Sequence, residues 1–596
     1  MFQSFDATTA TETGPARLKA LRVQIAAEGM IGMLVPRADL HQGEYVAARD
    51  ERLAWLTGFT GSAGFCIVLP DVAGVFIDGR YRVQVRDQVA PCFTPVPWPE
   101  IQPGPWIAGQ LSDTLGGQIG FDPWLHTKRE IEAIQATLPF NVQLTPCANL
   151  IDRIWADRAA APNAKARPHP IEFAGETSEA KRARIARAIA PARACILTLP
   201  DSICWLLNIR GADIPRNPLV QCLAILHDTG RLTLFADAQK FDAVSAELGP
   251  HITLRPTPAF APALRSLTGP IRVDPATAPV QIGTELSEEG IEILWAADPC
   301  ILPKAIKNES ELKGMEAAHL RDGAAMVEFL TWLDAAAPLG ALTEIDVVTK
   351  LEQARADTGQ LNEISFDTIC GAGPHGAIVH YRVTHDTNRA VTPGEILLID
   401  SGGQYPDGTT DITRTLPVGP VLDAAKAPYT AVLQGMIALS RARFPRGVSG
   451  AHIDALARAP LWMAGLDYDH GTGHGVGAAL CVHEGPARIS RASDIALQEG
   501  MILSNEPGYY REGAFGIRIE NLVRVIKAPD LGDNRDQLAF QTLTLCPIDK
   551  RLIDVTMMSA GEIAWLNAYH AKCQRSLSPI IGEDARAWLA IACAPI

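Results

Sequence analysis

In the last half of the chain, short apolar runs end on, or alternate with, acidic residues. Glu395-Ile396-Leu397-Leu398-Ile399-Asp400 has four apolar residues in succession, the pattern of a buried strand, and closes on a carboxylate. Asp411-Ile412-Thr413-Arg414-Thr415 and Gly516-Ile517-Arg518-Ile519-Glu520 alternate polar with apolar, as half-buried strands do. The second alternation puts Arg518 and Glu520 on one face. Glycine-rich turns join these strands. Helical periodicity falls at about 310–335, 343–358 and 421–442. The first of these helices opens at Asn308 or Ser310 as N-cap, with Glu309 and Glu311 at its positive end. Met315, Leu320, Met326, Phe329, Leu330 and Leu333 form its apolar face. This part of the chain is expected to be α+β, with a substantially antiparallel sheet.

Upstream, two stretches repeat a pattern. Each has an apolar run ending in proline (Ile31 to Pro36, Cys195 to Pro200) and a Trp-Leu turn (Trp55-Leu56-Thr57-Gly58, Trp205-Leu206-Leu207-Asn208). Each then has a strand closing on aspartate, at Asp78 and Asp237. The repetition predicts a duplicated α/β fold. Ala156 to Ser178, rich in Ala, Pro, Gly and charge, reads as a linker, and a second break lies near Asp298-Pro299-Cys300-Ile301-Leu302-Pro303. With 596 residues, too many for one core, the expected organisation is two α/β domains, 1–157 and 158–305, followed by 306–596. The last part carries an extension from about residue 530. There Ser559-Ala560-Gly561-Glu562 forms a capping box before a helix bearing Trp565 and Tyr569.

Composition narrows the function classes. A net charge of −14 argues against non-specific nucleic-acid binding. A hydrophobic fraction of 47% with mean hydropathy +0.06 is that of a folded soluble protein. No basic segment followed by an apolar core opens the chain, and no stretch approaches about 18 uninterrupted apolar residues, so neither a signal peptide nor a membrane span is expected. The twelve cysteines are scattered without a C-x-x-C pair, mostly in apolar surroundings. They read as reduced core residues of a cytoplasmic protein.

The chemistry lies in the acids and histidines of the last part. Asp400 and Asp411 flank a glycine-rich hairpin, which would bring their carboxylates side by side. A buried carboxylate must be paired, hydrogen-bonded or metal-bound. One Asp after an apolar strand is more often a turn cap, and one His is more often structural. Here, however, Glu506 and Glu520 end or follow later strands, and His470, His474, His483 and His380 lie in glycine-rich or strand-end settings. Asp400, Asp411, His474, Glu506 and Glu520 make four carboxylates and one imidazole, a set suited to two hard or borderline divalent ions. Two such ions acidify a shared water and polarise the bond it attacks, so the chain reads as a metallohydrolase. Gly371-Ala372-Gly373-Pro374-His375-Gly376 matches a dinucleotide-binding fingerprint, but that site needs a helix to start there. Ala377-Ile378-Val379-His380-Tyr381 reads instead as strand.

These segments resemble the aminopeptidase P family, the Xaa-Pro aminopeptidases of the pita-bread metallopeptidases. The matching motifs are Ile378-Val379-His380-Tyr381, Asp400 to Thr415, His470 to Gly477, Ser504-Asn505-Glu506-Pro507-Gly508-Tyr509-Tyr510 and Gly516 to Asn521. His41 to Tyr45, Thr57 to Gly64 and Leu545 to Ile548 extend the likeness over nearly the whole chain, as in the long three-domain cytosolic branch. The resemblance implies two creatinase-like α/β domains before a pita-bread catalytic domain. It also implies that Asp400 chelates one ion, Asp411 and Glu520 bridge both, and His474 and Glu506 hold the second. Four negative charges then balance two divalent ions, and a bridging hydroxide fits between them. Glu506 would also take the proton of the bridging water. His470 and His483 would hold the carbonyl oxygen and the tetrahedral intermediate, and His380 the residue after the cut. Arg518 would line the proline pocket or orient the metal ligands, with His380, Tyr509 and Tyr510 as further walls of that pocket. Manganese as the metal, a homodimer and peptides beginning Xaa-Pro as substrates follow from the same likeness. A prolidase that cuts only dipeptides is the enzymatic alternative. A peptide-binding pseudoenzyme is the non-enzymatic one, and the presence of all five ligands disfavours it.

Overall fold

Two sheets with one topology make up the first half of the molecule. In the computed structural model, which describes residues 1–7, 10–111, 116–421, 423–532 and 534–596, the chain forms two compact units, Thr8–Ile301 and Met1–Ala7 with Leu302–Ile596. The N-terminal unit contains both sheets. The strands of the first run in spatial order Thr94–Pro97, Ala73–Ile77, Phe65–Val68, Gly32–Pro36, Gly117–Phe121 and Val142–Pro146. Those of the second run Ile252–Arg255, Leu232–Phe235, Leu223–His227, Ala194–Leu197, Ile271–Val273 and Ile293–Trp295. Parallel and antiparallel pairings match position by position. The shared sequence pattern thus reflects a repeated fold. Asp78 and Asp237, which close equivalent strands, each cap the following 3-10 turn by accepting a backbone N–H.

The C-terminal unit begins its long helix α1 (Glu309–Ala336) at a capping box. The Asn308 side chain accepts from the N–H groups of Ser310 and Glu311, and Glu311 reaches back to Asn308. Helix α2 (Glu344–Ala356) follows. A three-stranded antiparallel sheet of β1 (Ile369–Ala372), β2 (Ile396–Ser401) and β3 (Ile412–Pro417) packs on both helices. The shared core includes Phe329 and Leu333 of α1, Val347 and Leu351 of α2, and Leu397 and Ile399 of β2. Helix α3 (Asp423–Ser440), strand β4 (Arg443–Pro445) and helix α4 (Gly450–Met463) lead into β5 (Gly473–Gly475), β6 (Glu484–Ile489) and β7 (Ile502–Asn505). Strands β8 (Gly508–Arg511) and β9 (Phe515–Arg518) form a hairpin, and β10 (Asn521–Lys527) and β11 (Gln537–Thr542) complete a six-stranded sheet of order β4-β11-β10-β7-β5-β6. Leu439, Ile453, Ala457, Leu503, Val523 and Phe540 bury one face of that sheet against α3 and α4. Helix α5 (Ala560–Leu577) starts at the expected capping box on Ser559 and Glu562, and α6 (Glu583–Ala592) ends the unit.

Two local expectations change. The first seven residues pack with the C-terminal unit, not with the segment that follows them: Phe5 enters its core, and Gln3 exchanges hydrogen bonds with Thr368. Ala377–Tyr381 is not a strand. Gly373–Ala377 form a 3-10 turn, with Gly373 at φ +51°, and the chain bends through Tyr381. That short turn is also no dinucleotide-binding helix. The twelve cysteines are all free, mostly buried, with Cys92 exposed. Among the described residues no helix is long and apolar enough to cross a membrane.

Candidate metal centre

Strand register brings the acids together. In β2 and β3, Asp400 pairs with Thr413, so Asp411 sits diagonally across from Asp400 on the same face rather than directly opposite. Asn505 pairs with Asn521 and Gly508 with Arg518, one continuous register that places Glu506 directly across from Glu520. Like charges at such a position repel, so this pair calls for a cation or protons between them. Residues two apart share a face, so Glu506, Tyr510, Arg518 and Glu520 point to one side. Tyr509 points to the other, where its ring meets Phe515.

His474 arrives on β5, where the pairing with β6 slips between His474 and Gly475. Such a bulge re-aims a side chain. Its neighbours must be glycine: a Cβ on Gly473 would lie 2.0 Å from the Ser504 carbonyl oxygen, and one on Gly475 2.3 Å from that of Glu484. Nδ1 of His474 faces the Gly475 carbonyl at 2.9 Å. This leaves Nε2 3.5 Å from Asp411 and 3.6 Å from Glu506. Donation through Nδ1 fixes the tautomer whose Nε2 lone pair is available to a metal.

The ligand atoms of Asp411, His474 and Glu520 all lie within 4.8 Å of one another. Oδ1 of Asp400 and Oε1 of Glu520 are buried and have no hydrogen-bond partner among the described residues. Burial raises the Asp400 carboxyl to about 7; Arg518 opposes this, and Asp411 and Glu506 add to it. Burial, then the charges of Asp411, Asp400 and Glu506, holds Glu520 well above the usual carboxylate range. Glu506 is likewise raised, chiefly by burial. Burial would lower His474, but its hydrogen bond to Asp411 and the charges of Glu506 and Asp411 outweigh it and set the ring at about 9. Crowded acids, two orphaned oxygens and an imidazole nitrogen turned towards two carboxylates fit divalent cations: without them the site must hold protons.

A chain of contacts leads out of this cluster. Arg518 donates to Asp400 at 2.6 Å and to the Tyr510 hydroxyl at 2.6 Å, and Tyr510 meets Nε2 of His470 at 2.9 Å. The Val379 carbonyl accepts from Arg518 at 3.3 Å, which places the turn bearing His380 beside the same guanidinium. The His483 ring lies edge-on to His474, 4.3 Å between centroids. Glu484, next to it, is clamped by the buried ammonium groups of Lys304 (2.9 Å) and Lys307. Thr413 donates to Glu520 at 2.8 Å and accepts from Arg518 at 3.2 Å. Behind β3, Arg414 grips the Glu520 carbonyl and reaches the C-terminal extension at Cys546, Pro547 and Tyr569. Sequence reasoning passed over Thr413, Glu484 and the two lysines. Thr413 could have been found from its place two residues after Asp411, on the same strand face.

The chain is 38% identical to aminopeptidase P2 of Arabidopsis thaliana, over 94% of this chain and 85% of the relative. It belongs to the aminopeptidase P family. It is also 37% identical to a probable Xaa-Pro aminopeptidase P of Laccaria bicolor, over 97% of this chain and 93% of that one. The profile of metallopeptidase family M24 matches residues 313–527, and that of the C-terminal region of the same peptidases matches 536–596. Profiles of the creatinase/prolidase N-terminal domain match 17–154 and 157–311, one over each sheet of the repeated fold. Among solved structures, X-prolyl aminopeptidase from Caenorhabditis elegans, described as a cytosolic enzyme with a di-nuclear active site, superposes with a TM-score of 0.92. It is 32% identical, over 98% of this chain and 100% of that one. The chain is thus a metallopeptidase with two creatinase-type α/β domains ahead of a pita-bread catalytic domain.

Proposed function

We propose that this metallopeptidase removes the N-terminal residue from peptides whose second residue is proline. The observation that carries the reading is the convergence of Asp411, His474 and Glu520 within 4.8 Å, beside the orphaned oxygens of Asp400 and Glu520. Full-length relatives named for Xaa-Pro and X-prolyl aminopeptidase activity support the substrate class. Asp400 would hold one ion, Asp411 and Glu520 both, and His474 and Glu506 the second. Oxygen-rich ligation with one imidazole suits manganese. Bound ions supply a water acidified near neutrality and a polarised carbonyl.

The remaining work falls to side chains. Glu506 takes a proton from water and returns it to the leaving amine. His470 and His483 donate to the carbonyl oxygen as it gains charge. Proline has no amide hydrogen and a fixed φ, so its ring needs walls rather than an acceptor. His380, Tyr510 and Arg518 would supply those walls, with Tyr509 supporting the hairpin from its far face. The acid cluster attracts the free α-amine. We also read the enzyme as cytoplasmic and homodimeric, with domains at 1–157, 158–305 and 306–596, except that residues 1–7 join the last of these. An Arg-Pro-Pro peptide should lose its arginine, whereas the same peptide with alanine second, or with an acetylated N-terminus, should be left intact. Equal rates on the alanine peptide would overturn the proline assignment, and cleavage confined to dipeptides would point to a prolidase.

A further inference from the structure

Helix α4 runs behind the loop that carries His470, and two of its residues reach into that loop. Asp454 and Arg458, one helical turn apart, are 1% and 3% exposed and pair at 2.7 Å. Arg458 donates to the Tyr468 carbonyl at 2.7 Å, to the Asp467 carboxylate at 2.7 Å and to the His470 carbonyl at 2.6 Å. Its guanidinium covers the Tyr468 ring, 3.9 Å from the centroid. Asp454 accepts from the Thr472 hydroxyl at 2.6 Å, and the Thr472 carbonyl accepts from the N–H of Glu506 at 2.8 Å. The buried pair therefore holds the loop at Asp467, Tyr468, His470 and Thr472. A buried ion pair costs desolvation, and well-packed apolar residues could staple a helix to a loop as well. What apolar residues cannot do is fix two carbonyls, at Tyr468 and His470, from one rigid fork; a lysine, a point charge on a flexible stem, cannot do so either. With its carbonyl held, and Nδ1 facing the Gly471 carbonyl at 2.7 Å, the His470 ring presents Nε2 towards Tyr510.

We propose that Arg458, seated by Asp454, is a positioning residue for turnover: it fixes the main chain from which His470 projects. The proposal rests on the reading of His470 as a donor to substrate. The test compares Arg458→Met, Arg458→Lys, His470→Ala and the two double variants, as full-length manganese-loaded protein on an Arg-Pro-Pro peptide. Bound metal and Tm are measured beside kcat and KM. Displacing a catalytic group by about 1 Å can cost roughly 100-fold in rate, so Arg458→Met should lower kcat about 30- to 100-fold with bound metal unchanged, and Arg458→Lys should recover part of the loss. In the His470→Ala background, Arg458→Met should lower kcat by less than about 3-fold while lowering Tm as before, because the two residues act as a unit. An equal fold-loss in both backgrounds, or a fall in Tm with kcat intact, overturns the proposal alone. An unchanged kcat in His470→Ala overturns the reading of His470 and the proposal with it. If Arg458→Met does not fold, Arg458→Lys carries the same comparison.

Discussion

Loading the ion-free protein with manganese should release protons, and the site sets how many. At pH 7 His474, held at about 9, carries its proton; Glu520 is held above the usual carboxylate range by burial and by the charges of Asp411, Asp400 and Glu506. Asp400, at about 7, is half-protonated. The protons on His474 and Asp400 occupy atoms a metal needs, so filling the site should release at least about one per chain. Titration calorimetry in buffers of different ionisation enthalpy counts them. The sign follows from the count: the loaded protein holds fewer protons, so affinity rises with pH. One proton corresponds to an overall binding constant at least about 10-fold weaker at pH 6 than at pH 7. The ion-free fold has the opposite dependence. Asp400 has a folded pKa above its unfolded value near 4, so it stabilises the fold in acid and loses that contribution as pH climbs through about 7. His474 does the same between about 6.5 and about 9. Each changes stability by about 1.4 kcal/mol per pH unit in its window. The gap in Tm between loaded and ion-free protein should therefore widen from pH 5.5 to 8. Release of less than one proton, or a gap that does not change with pH, would refute the electrostatic account of the site.

His474→Ala should lose an ion, whereas His483→Ala should keep its metal by elemental analysis and lose about 10²–10³ in kcat, the cost of one oxyanion donor; metal loss from His483→Ala would place it among the ligands. Glu484→Gln should strand two buried ammonium groups. Breaking a buried pair costs about 3–5 kcal/mol, so a clear drop in Tm is expected with manganese present, and an unchanged Tm would show that the lysines shed their charge or find other partners. A Cβ on Gly435 would lie 2.0 Å from the Ala457 carbonyl oxygen, where α3 crosses α4. Gly435→Ala should therefore lose about 1–3 kcal/mol by overpacking, read from denaturant unfolding.

Much of this was legible in the sequence because it depends on short-range pattern. The β2 run fixes a buried strand ending at Asp400, the alternation 516–520 fixes the shared face of Arg518 and Glu520, and Asn308 with Glu311 fixes the start of α1. The paired motifs upstream revealed a duplicated fold because both copies reuse the same turn chemistry. What remained hidden depends on register and distance. Asp411 lies diagonal to Asp400 because the hairpin pairs Asp400 with Thr413, a matter of loop length and not of residue type. Tyr509 and Tyr510 look equivalent in sequence, yet strand alternation sends them to opposite faces. Ala377–Tyr381 has strand composition, but Gly373 turns the chain just before it. Asp454 and Arg458, one turn apart on α4, show their role only once the loop they hold comes into view.

The place of the first seven residues has a consequence for how the molecule is made. Gln3 bonds to Thr368, the Phe5 carbonyl accepts from His385, and the Phe2 N–H meets Glu352. During synthesis these residues precede their partners by some 350 positions, which at about 5–20 residues per second is a wait of roughly 20–70 s. The whole N-terminal unit is threaded between the two pieces of the other one. It can fold as it emerges, while the contacts of residues 1–7 wait until Glu352, Thr368 and His385 have been made. The earliest residues of the chain thus find their place in the later-made unit, across a delay set by the length of the unit inserted between them.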